Sequence, residues 1–331
     1  MIQKKLRSLI YAGIGLVLCV LLCGGIGMTA QAESYGDFSY EENESGITIT
    51  EYEGNKTKLA IPEKIDGKKV TSIGGGAFYY RSGLTSVTIP KSVTSIGEDA
   101  FESCSGLTSI TIPKNVTSIG NGAFARCSSL TSIKVSKENK YYDSRNNCNA
   151  IIEIKSKTLV SGCKKTVIPN GVISIGERAF DGCSDLKSIT IPKGVTSIGY
   201  WAFRDCSSLI SMTIPEGVTS IECGAFVHCS GLTSITIPKS VTSIGGDPDM
   251  VDSNAFASCS GLTSIIVDKE NKYYDSRNNC NAIIETKSNK LVSGCNKTVI
   301  PDSVTGIKYR AFVGCSGLKS ITIPKNVTWI G

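Results

Sequence analysis

The residue types able to do chemistry in this chain are few, and most of them recur at one spacing. His228 is the only histidine, at a variable spot between Phe226 and Cys229. One histidine cannot build a multi-histidine zinc site, and no phosphate-binding glycine loop follows a strand. The serines and threonines recur regardless of their neighbours, so none has the specific base that a nucleophile needs. The sequence therefore nominates no catalytic residue, no metal ligand and no cofactor site. Three aspartates, Asp247, Asp249 and Asp252, crowd one short loop. The glycine and glutamate that an EF-hand needs at its sixth and twelfth positions are missing, so a solvated loop is expected there.

The chain carries 14 cysteines. Cys104, Cys127, Cys183, Cys206, Cys229, Cys259 and Cys315 follow Ala-Phe at the same offset. Residues stacked at equivalent positions point the same way. They do not converge on a tetrahedral metal, and free thiols packed as small hydrophobes are expected. Strand spacing alone leaves disulfide distances open. Cys148 with Cys163, and Cys280 with Cys295, are the better disulfide candidates, because a hairpin could set them opposite each other.

Those positions are set by a repeat. Pro90 and Pro113, then Pro169, Pro192, Pro215 and Pro238, then Pro301 and Pro324, follow one another 23 residues apart within each run. Ile110 and Ile112 alternate with Ser109 and Thr111, which predicts a strand with one apolar face and one hydroxyl face. Pro113 lacks an N–H and ends the strand. Val116 and Ile119 form a second inward pair, and Gly120 permits the next bend. Ala123-Phe124-x-x-Cys127 is too short for a stable helix and is read as a single helical turn with Phe and Cys inward. One unit cannot bury this face alone, whereas stacked units can. The expected architecture is a β-rich solenoid of roughly eleven coils with short helical turns over residues 61–331, after a capping segment at 33–60. Alternating Ile47-Thr-Ile49-Thr suggests a capping strand or hairpin.

The period breaks twice in the same way. Lys137 to Ile152 recurs as Lys269 to Ile284, and both copies run on to Leu-Val-Ser-Gly-Cys. Hairpin inserts are expected near 136–167 and 268–299. The paired tyrosines, Tyr141-Tyr142 and Tyr273-Tyr274, are either a contact surface or a cover for apolar edges where the coil is interrupted.

At the N-terminus, Lys4, Lys5 and Arg7 precede an apolar stretch from Leu9 to about Met28, and Ala30-Gln31-Ala32 fits a small-x-small cleavage site. Residues 1–32 are read as a signal peptide cut after Ala32, with an uncleaved membrane anchor as the alternative. Cleavage lowers the formal charge from +6 by those three positive side chains to +3, too mild to suggest nucleic acid.

The spacing Leu107-x-x-Ile110-x-Ile112 resembles leucine-rich repeats. The full unit, Ile-Pro-x-x-Val-Thr-Ser-Ile-Gly-x-x-Ala-Phe-x-x-Cys-x-x-Leu, resembles the BspA-like (Treponema-type) leucine-rich-repeat proteins from about Ile61 to the C-terminus. The segment Ile47 to Val70 looks like that family's entry into the repeats. The resemblance implies a leucine-rich-repeat right-handed superhelix and a secreted or cell-surface protein. It implies non-catalytic adhesion or binding to host or neighbouring-cell surface proteins or glycans, with membrane contact only through the signal segment if uncleaved. The sequence departs from ordinary leucine-rich repeats at the asparagine position, which holds Ser92, Asn115, Gly171, Gly194, Gly217, Ser240, Ser303 and Asn326, so the coils must be held in another way.

Contact candidates are the aromatics beside Ala-Phe, where the coil requires none: Tyr79, Tyr80, Tyr200 and Trp201. A lysine row, Lys91, Lys114, Lys193 and Lys239, runs beside a face of outward Ser and Thr. It serves either binding or the blocking of sheet edges. Phe203 is expected to be buried and Trp201 at least partly exposed. A spacer that presents another module is the alternative role, and ice binding by the hydroxyl face a remoter one. The sequence stops at Val327-Thr-Trp329-Ile330-Gly331, half-way through a unit. An uncovered apolar end led by Ile321, Ile323, Val327 and Ile330 is expected to fray or self-associate there.

Overall fold

A computed structural model of the chain describes residues 33–245 and 254–331. The 1–32 signal segment and the aspartates Asp247, Asp249 and Asp252 lie outside the described residues. The fold is almost entirely short strands and turns. Among the described residues the only helical pieces are two three-residue 3-10 turns, Arg145–Asn147 and Arg277–Asn279.

The 23-residue period becomes coil-on-coil pairing. Ser109 to Ile112 lie in parallel register with Ser132 to Val135, and Ser95-Ile96 with Ser118-Ile119. Ser174, Ser197, Ser220 and Ser243 continue the second ladder at the same offset. The residues at the end of the first inward strand, Ile61, Ile89, Ile112, Val135, Ile168, Ile191, Ile214, Ile237, Val267, Ile300 and Ile323, mark the coils numbered 1 to 11 here. In coil 3, Leu107, Ile110, Ile112, Val116, Phe124 and Cys127 all point inward and are buried. Residues 33–52 form a meander, Glu33–Tyr35, Phe38–Asn43 and Gly46–Tyr52, whose last strand pairs in parallel with Lys68–Ile73 of coil 1, whereas Lys58–Ala60 already pairs in parallel with Ser86–Thr88 of coil 2.

Hydroxyl ladders do the work that asparagines do not. Thr94 Oγ1 donates to Thr71 O at 3.1 Å, Thr117 to Thr94 O at 3.2 Å and Thr219 to Thr196 O at 3.1 Å. A second row runs from Thr108 to Thr85 O at 3.2 Å and from Thr131 to Thr108 O at 3.3 Å. Inside, the cysteines form a third. Cys104 Sγ donates to Phe78 O at 3.1 Å, and Cys206 to Phe180 O at 3.2 Å. All twelve described cysteines are free thiols, and all but the half-buried Cys315 are buried. Cys148 and Cys163 are not bonded to one another. Each thiol faces a backbone carbonyl, Ala150 O at 3.8 Å and Asn149 O at 3.6 Å. Phe rings stack coil on coil, Phe101 on Phe124 at 5.4 Å and Phe203 on Phe226 at 5.3 Å, nearly parallel.

The Ala-Phe segment is not a helical turn, and this corrects the expectation from sequence. The residue before Ala and the second residue after Phe take left-handed φ, as at Asp99 (56°) and Ser103 (60°). The N–H groups then alternate. Those of Ala100, Glu102 and Cys104 close turns within the coil, whereas those of Asp99, Phe101 and Ser103 donate to Asn121 O, Ala123 O and Ala125 O of the next coil. A helix would spend every N–H within its own coil and leave the neighbouring carbonyls unpaired.

Coils 4 and 9 break the pattern. After Tyr142–Asp143 the chain adds an antiparallel pair, Ile151–Glu153 and Thr158–Ser161, before Ser174–Ile175 resumes the parallel ladder. Tyr274–Asp275, Ile283–Glu285 and Lys290–Ser293 repeat this. Two strands are thus added to one side of the stack, and no Ala-Phe turn is supplied on the other. On that side coil 3 meets coil 5 directly, with Arg126 N donating to Asp181 O at 2.7 Å. Gly162 marks the crossing, since a Cβ there would lie 2.2 Å from the Phe180 ring.

Candidate binding surfaces

The seam between coils 3 and 5 holds a charged cluster that the period alone does not reveal. Arg178 in coil 5 is buried, and its guanidinium serves three carboxylates. Nη2 donates to Glu102 Oε1 at 2.6 Å, Nε donates to Asp181 Oδ2 at 2.8 Å, and Nη1 donates to Asp99. Arg204 in coil 6 reaches the same Asp181 at 2.9 Å. Arg126 in coil 3 pairs with Asp205 in coil 6. The exposed His228 sits 3.4 Å from Asp205. Four carboxylates face three guanidiniums. Burial pulls the Arg178 guanidinium down, but its bonds to Glu102 and the charges of Asp181 and Asp99 outweigh that and raise it. Burial, with the Glu102 charge, pushes the Asp99 carboxyl up to about 7 against the pull of Arg178.

Glycines make these long reaches possible. Asp99 and Arg178 share one row, and Gly122 stands between them. A Cβ on Gly122 would lie 2.3 Å from Asp99 Oδ1. Gly182 stands likewise between Arg126 and Asp205, where a Cβ would lie 2.7 Å from Arg126 Cγ. In each row the middle coil withholds its side chain so that the flanking coils can pair. The signal was present in the sequence as opposite charges at the variable positions beside Ala-Phe. It could not be read without knowing that coil 4 skips the turn.

The sequence candidates fall into different places. Tyr79 and Tyr80 are exposed and meet edge to face at 4.3 Å, and the Tyr80 N–H donates to the backbone O of Glu102 in the next coil at 3.0 Å. Tyr200 is half-buried and stacks on Trp201 at 4.3 Å. Trp201 itself is only 7% exposed, which corrects the expectation that it is open to solvent. Its row does point away from the Phe column, but Arg204 lies over the ring at 4.0 Å and Arg178 at 5.9 Å. Trp201 therefore belongs to the packing of the charged seam. Phe203 is fully buried. Lys91, Lys114, Lys193 and Lys239 are all exposed. Lys114 pairs with Glu138 at 3.0 Å and Lys239 with Glu270 at 2.7 Å. The outward Ser109, Thr111, Ser234 and Thr236 are exposed as well.

The paired tyrosines divide between the two roles that the sequence left open. Tyr142 takes the inward position that Ile119 has one coil earlier, is buried, and accepts the Ile119 N–H at 2.9 Å. Tyr141 takes the outward position of Ser118 and is 51% exposed. Tyr274 and Tyr273 repeat the arrangement, with Tyr274 accepting the Ile244 N–H at 3.0 Å and Tyr273 50% exposed.

Comparison with known proteins follows the same lines. The family described as BspA type leucine rich repeat region matches residues 52–161, 153–284 and 283–331, with six copies. No curated protein matches the chain. Among solved structures, a leucine-rich cell surface protein from Faecalibacterium prausnitzii is 23% identical, with 88% of this chain and 94% of that chain covered and a TM-score of 0.43. A leucine-rich repeat protein from Eubacterium ventriosum is 21% identical over 90% of this chain and 92% of that chain, with a TM-score of 0.45. The pneumococcal vaccine antigen PcpA is 16% identical over 90% of this chain and 71% of that chain, with a TM-score of 0.42. The family match runs from residue 52 to residue 331, the span that holds the repeated Ile, Phe and Cys of the core: the chain belongs to the BspA-type leucine-rich-repeat family.

Proposed function

We propose that this chain is a non-catalytic, exported leucine-rich-repeat protein that binds macromolecules on host or neighbouring cells. Residues 1–32 direct export, and the coils continue as a right-handed superhelical solenoid that displays one long outer face. The observation that carries this reading is the division of labour in each coil. Apolar, aromatic and thiol side chains are spent on the interior. The outward strand positions and the lysine row, from Lys91 to Lys239, stay accessible across many coils. An extended repetitive face suits a large ligand better than a small substrate, which needs a concave site with a few convergent polar groups.

The test is a pull-down of the mature chain, residues 33–331, against immobilised extracellular-matrix proteins together with a glycan array. Saturable binding that survives purification is the expected result. Turnover of a substrate, abolished by His228→Ala or by changing a single serine, would refute the reading.

A further inference from the structure

Two stretches of the outer surface, one at each hairpin coil, carry the same side chains at five of six positions. The first is a groove of about 430 Å³ lined by Lys114, Asn115 and Thr117 of coil 3 and by Glu138, Lys140 and Tyr141 of coil 4. At the second, Lys239, Ser240 and Thr242 of coil 8 and Glu270, Lys272 and Tyr273 of coil 9 hold the corresponding positions, with Ser240 in place of Asn115. The lysine–glutamate pair is kept in both.

Both tyrosines are held in place from below. Asn139 Nδ2 donates to Pro113 O at 2.8 Å and Val116 O at 3.0 Å, while its Oδ1 accepts the Tyr141 N–H at 2.8 Å. Asn271 makes the same bonds to Pro238 O, Val241 O and Tyr273 N. The exposed ring is not required by the coil, because Ser95, Ser118, Ser174, Ser197, Ser220 and Ser243 occupy that row elsewhere. The two copies are also nearly identical here. Residues 137–168 and 269–300 differ only at 154/286, 157/289, 158/290 and 164/296, whereas eight of the next seventeen positions differ. Glu138, Lys140 and Tyr141 are exposed side chains within the unchanged part.

The chemistry of the lining selects a ligand class. The walls offer ammonium, amide, hydroxyl, carboxylate and phenol groups, and no deep apolar pocket for a peptide anchor such as leucine. An open aromatic face ringed by hydrogen-bonding groups matches a sugar ring, whose C–H face stacks while its hydroxyls are bound. Lys114 and Lys140 outnumber Glu138, and the nearby Lys91 helps to hold the Glu138 carboxyl low after Lys114 itself. The excess charge suits a carboxylated sugar. The volume lies at the small end of ligand sites, which span about 300–1,000 Å³, so one groove holds only a short stretch of chain. Along their row the two tyrosines are seven strand spacings apart, because the coil 4 hairpin adds two strands on that side, roughly 34 Å at about 4.8 Å per spacing.

We propose that the Tyr141 groove and the corresponding Tyr273 surface are paired subsites for one acidic polysaccharide chain, a polymer of carboxylated sugars. The inference rests on the binding role proposed above and names its ligand. The full chain is titrated with polygalacturonate, with a short oligogalacturonate, and with neutral dextran of matched length. Polygalacturonate should bind, more weakly as salt rises, and dextran should not. Tyr141→Ala or Tyr273→Ala should lower apparent affinity for the polymer by on the order of 10²-fold, because the second contact is lost. Either change should also reduce the short oligomers bound from two to one. Tyr141→Phe should bind as the parent does, and circular dichroism of all variants should be unchanged. Wild-type polymer affinity in the Tyr141→Ala/Tyr273→Ala double variant, or equal binding of dextran, would overturn the proposal. Tyrosine-independent capture of matrix proteins without polygalacturonate binding would overturn it too, while leaving the general binding role intact.

Discussion

Replacing Arg178 with methionine tests the charged seam directly, since it keeps an unbranched stem as far as the position of Nε and removes the guanidinium charge. Three charge-assisted hydrogen bonds are lost, to Glu102, Asp181 and Asp99. At about 1.5–3 kcal/mol each these would sum to about 4.5–9 kcal/mol. Two cations remain, however. Arg204 stays 2.9 Å from Asp181, and Arg126 stays 3.6 Å from Asp181 and 3.8 Å from Glu102. The expected loss is therefore about 3–5 kcal/mol near pH 7.5, the range for removing one partner of a buried pair. The loss should depend on pH. With the Asp99 pKa raised above its unfolded value, the stability it contributes is complete below that unfolded value and is lost as pH rises through about 7. Removing Arg178 takes away the cation that opposes this rise, so the deficit should shrink at pH 5 and widen at pH 8. Urea unfolding in a Trp329→Phe background leaves Trp201 as the only tryptophan, stacked against Arg204 at 4.0 Å and so a local reporter of the seam. A loss below about 1 kcal/mol, or one equal at pH 5 and pH 8, would refute the account of the seam as a buried, desolvated cluster.

Four further outcomes follow from the packing. Gly122→Ala should cost at least about 1–2 kcal/mol more than Gly171→Ala, because both glycines have positive φ but only Gly122 has Asp99 Oδ1 in the way; equal midpoints in denaturant would contradict the row-gap argument. Tyr142→Phe should cost about 1–3 kcal/mol by leaving the Ile119 N–H buried without its acceptor, and hydrogen exchange at Ile119 should accelerate. Native thiol labelling at pH 8 should be slow and labelling in urea fast, since the cysteines are buried and burial pushes Cys104 up to about 12; rapid native labelling at Cys104 or Cys206 would be the contrary result. Phe203→Ala should cost about 3–5 kcal/mol, whereas Tyr80→Ala, at a 63% exposed position, should leave the unfolding midpoint nearly unchanged.

The parts of the fold that repeat were legible, because a period fixes phase. Phe203, Cys206, Ile198 and Val195 all stand inside the coil as the alternation of apolar and hydroxyl residues demands. What could not be read depends on which coils touch. The 56-residue gap between Phe124 and Phe180 shows that something intervenes, but it does not say that the intervening coil omits its turn. Without that fact Arg178 and Asp99 are two isolated charges, and Trp201 is an aromatic with nothing over it. The turn conformation was misjudged for a related reason. Composition suggests a helical turn at Ala-Phe, whereas the neighbouring coil's carbonyls compete for alternate N–H groups and win. The tyrosine pairs lay between these cases. Their two roles were both foreseen, and only the register with Ile119 and Ser118 assigns one to each ring.

The glycine gaps at the seam bear on how such an array can change its length. Where units touch only their immediate neighbours, a unit can be gained or lost by recombination between copies with little effect on the rest. The pairs Asp99–Arg178 and Arg126–Asp205 each join residues 79 positions apart, over a coil that withholds its side chain. Deleting coil 3 would leave every threonine and cysteine ladder able to re-form, yet it would remove Arg126 and Gly122 and strand Asp205 without its long-range partner. Units between coils 2 and 6 are therefore fixed in number and order. Coils 8 to 10 are tied in the same way across coil 9, where Asn254 Nδ2 donates to Arg310 O at 3.0 Å and Ser258 N to Val313 O at 2.8 Å, so natural variation in repeat count is expected to avoid both spans.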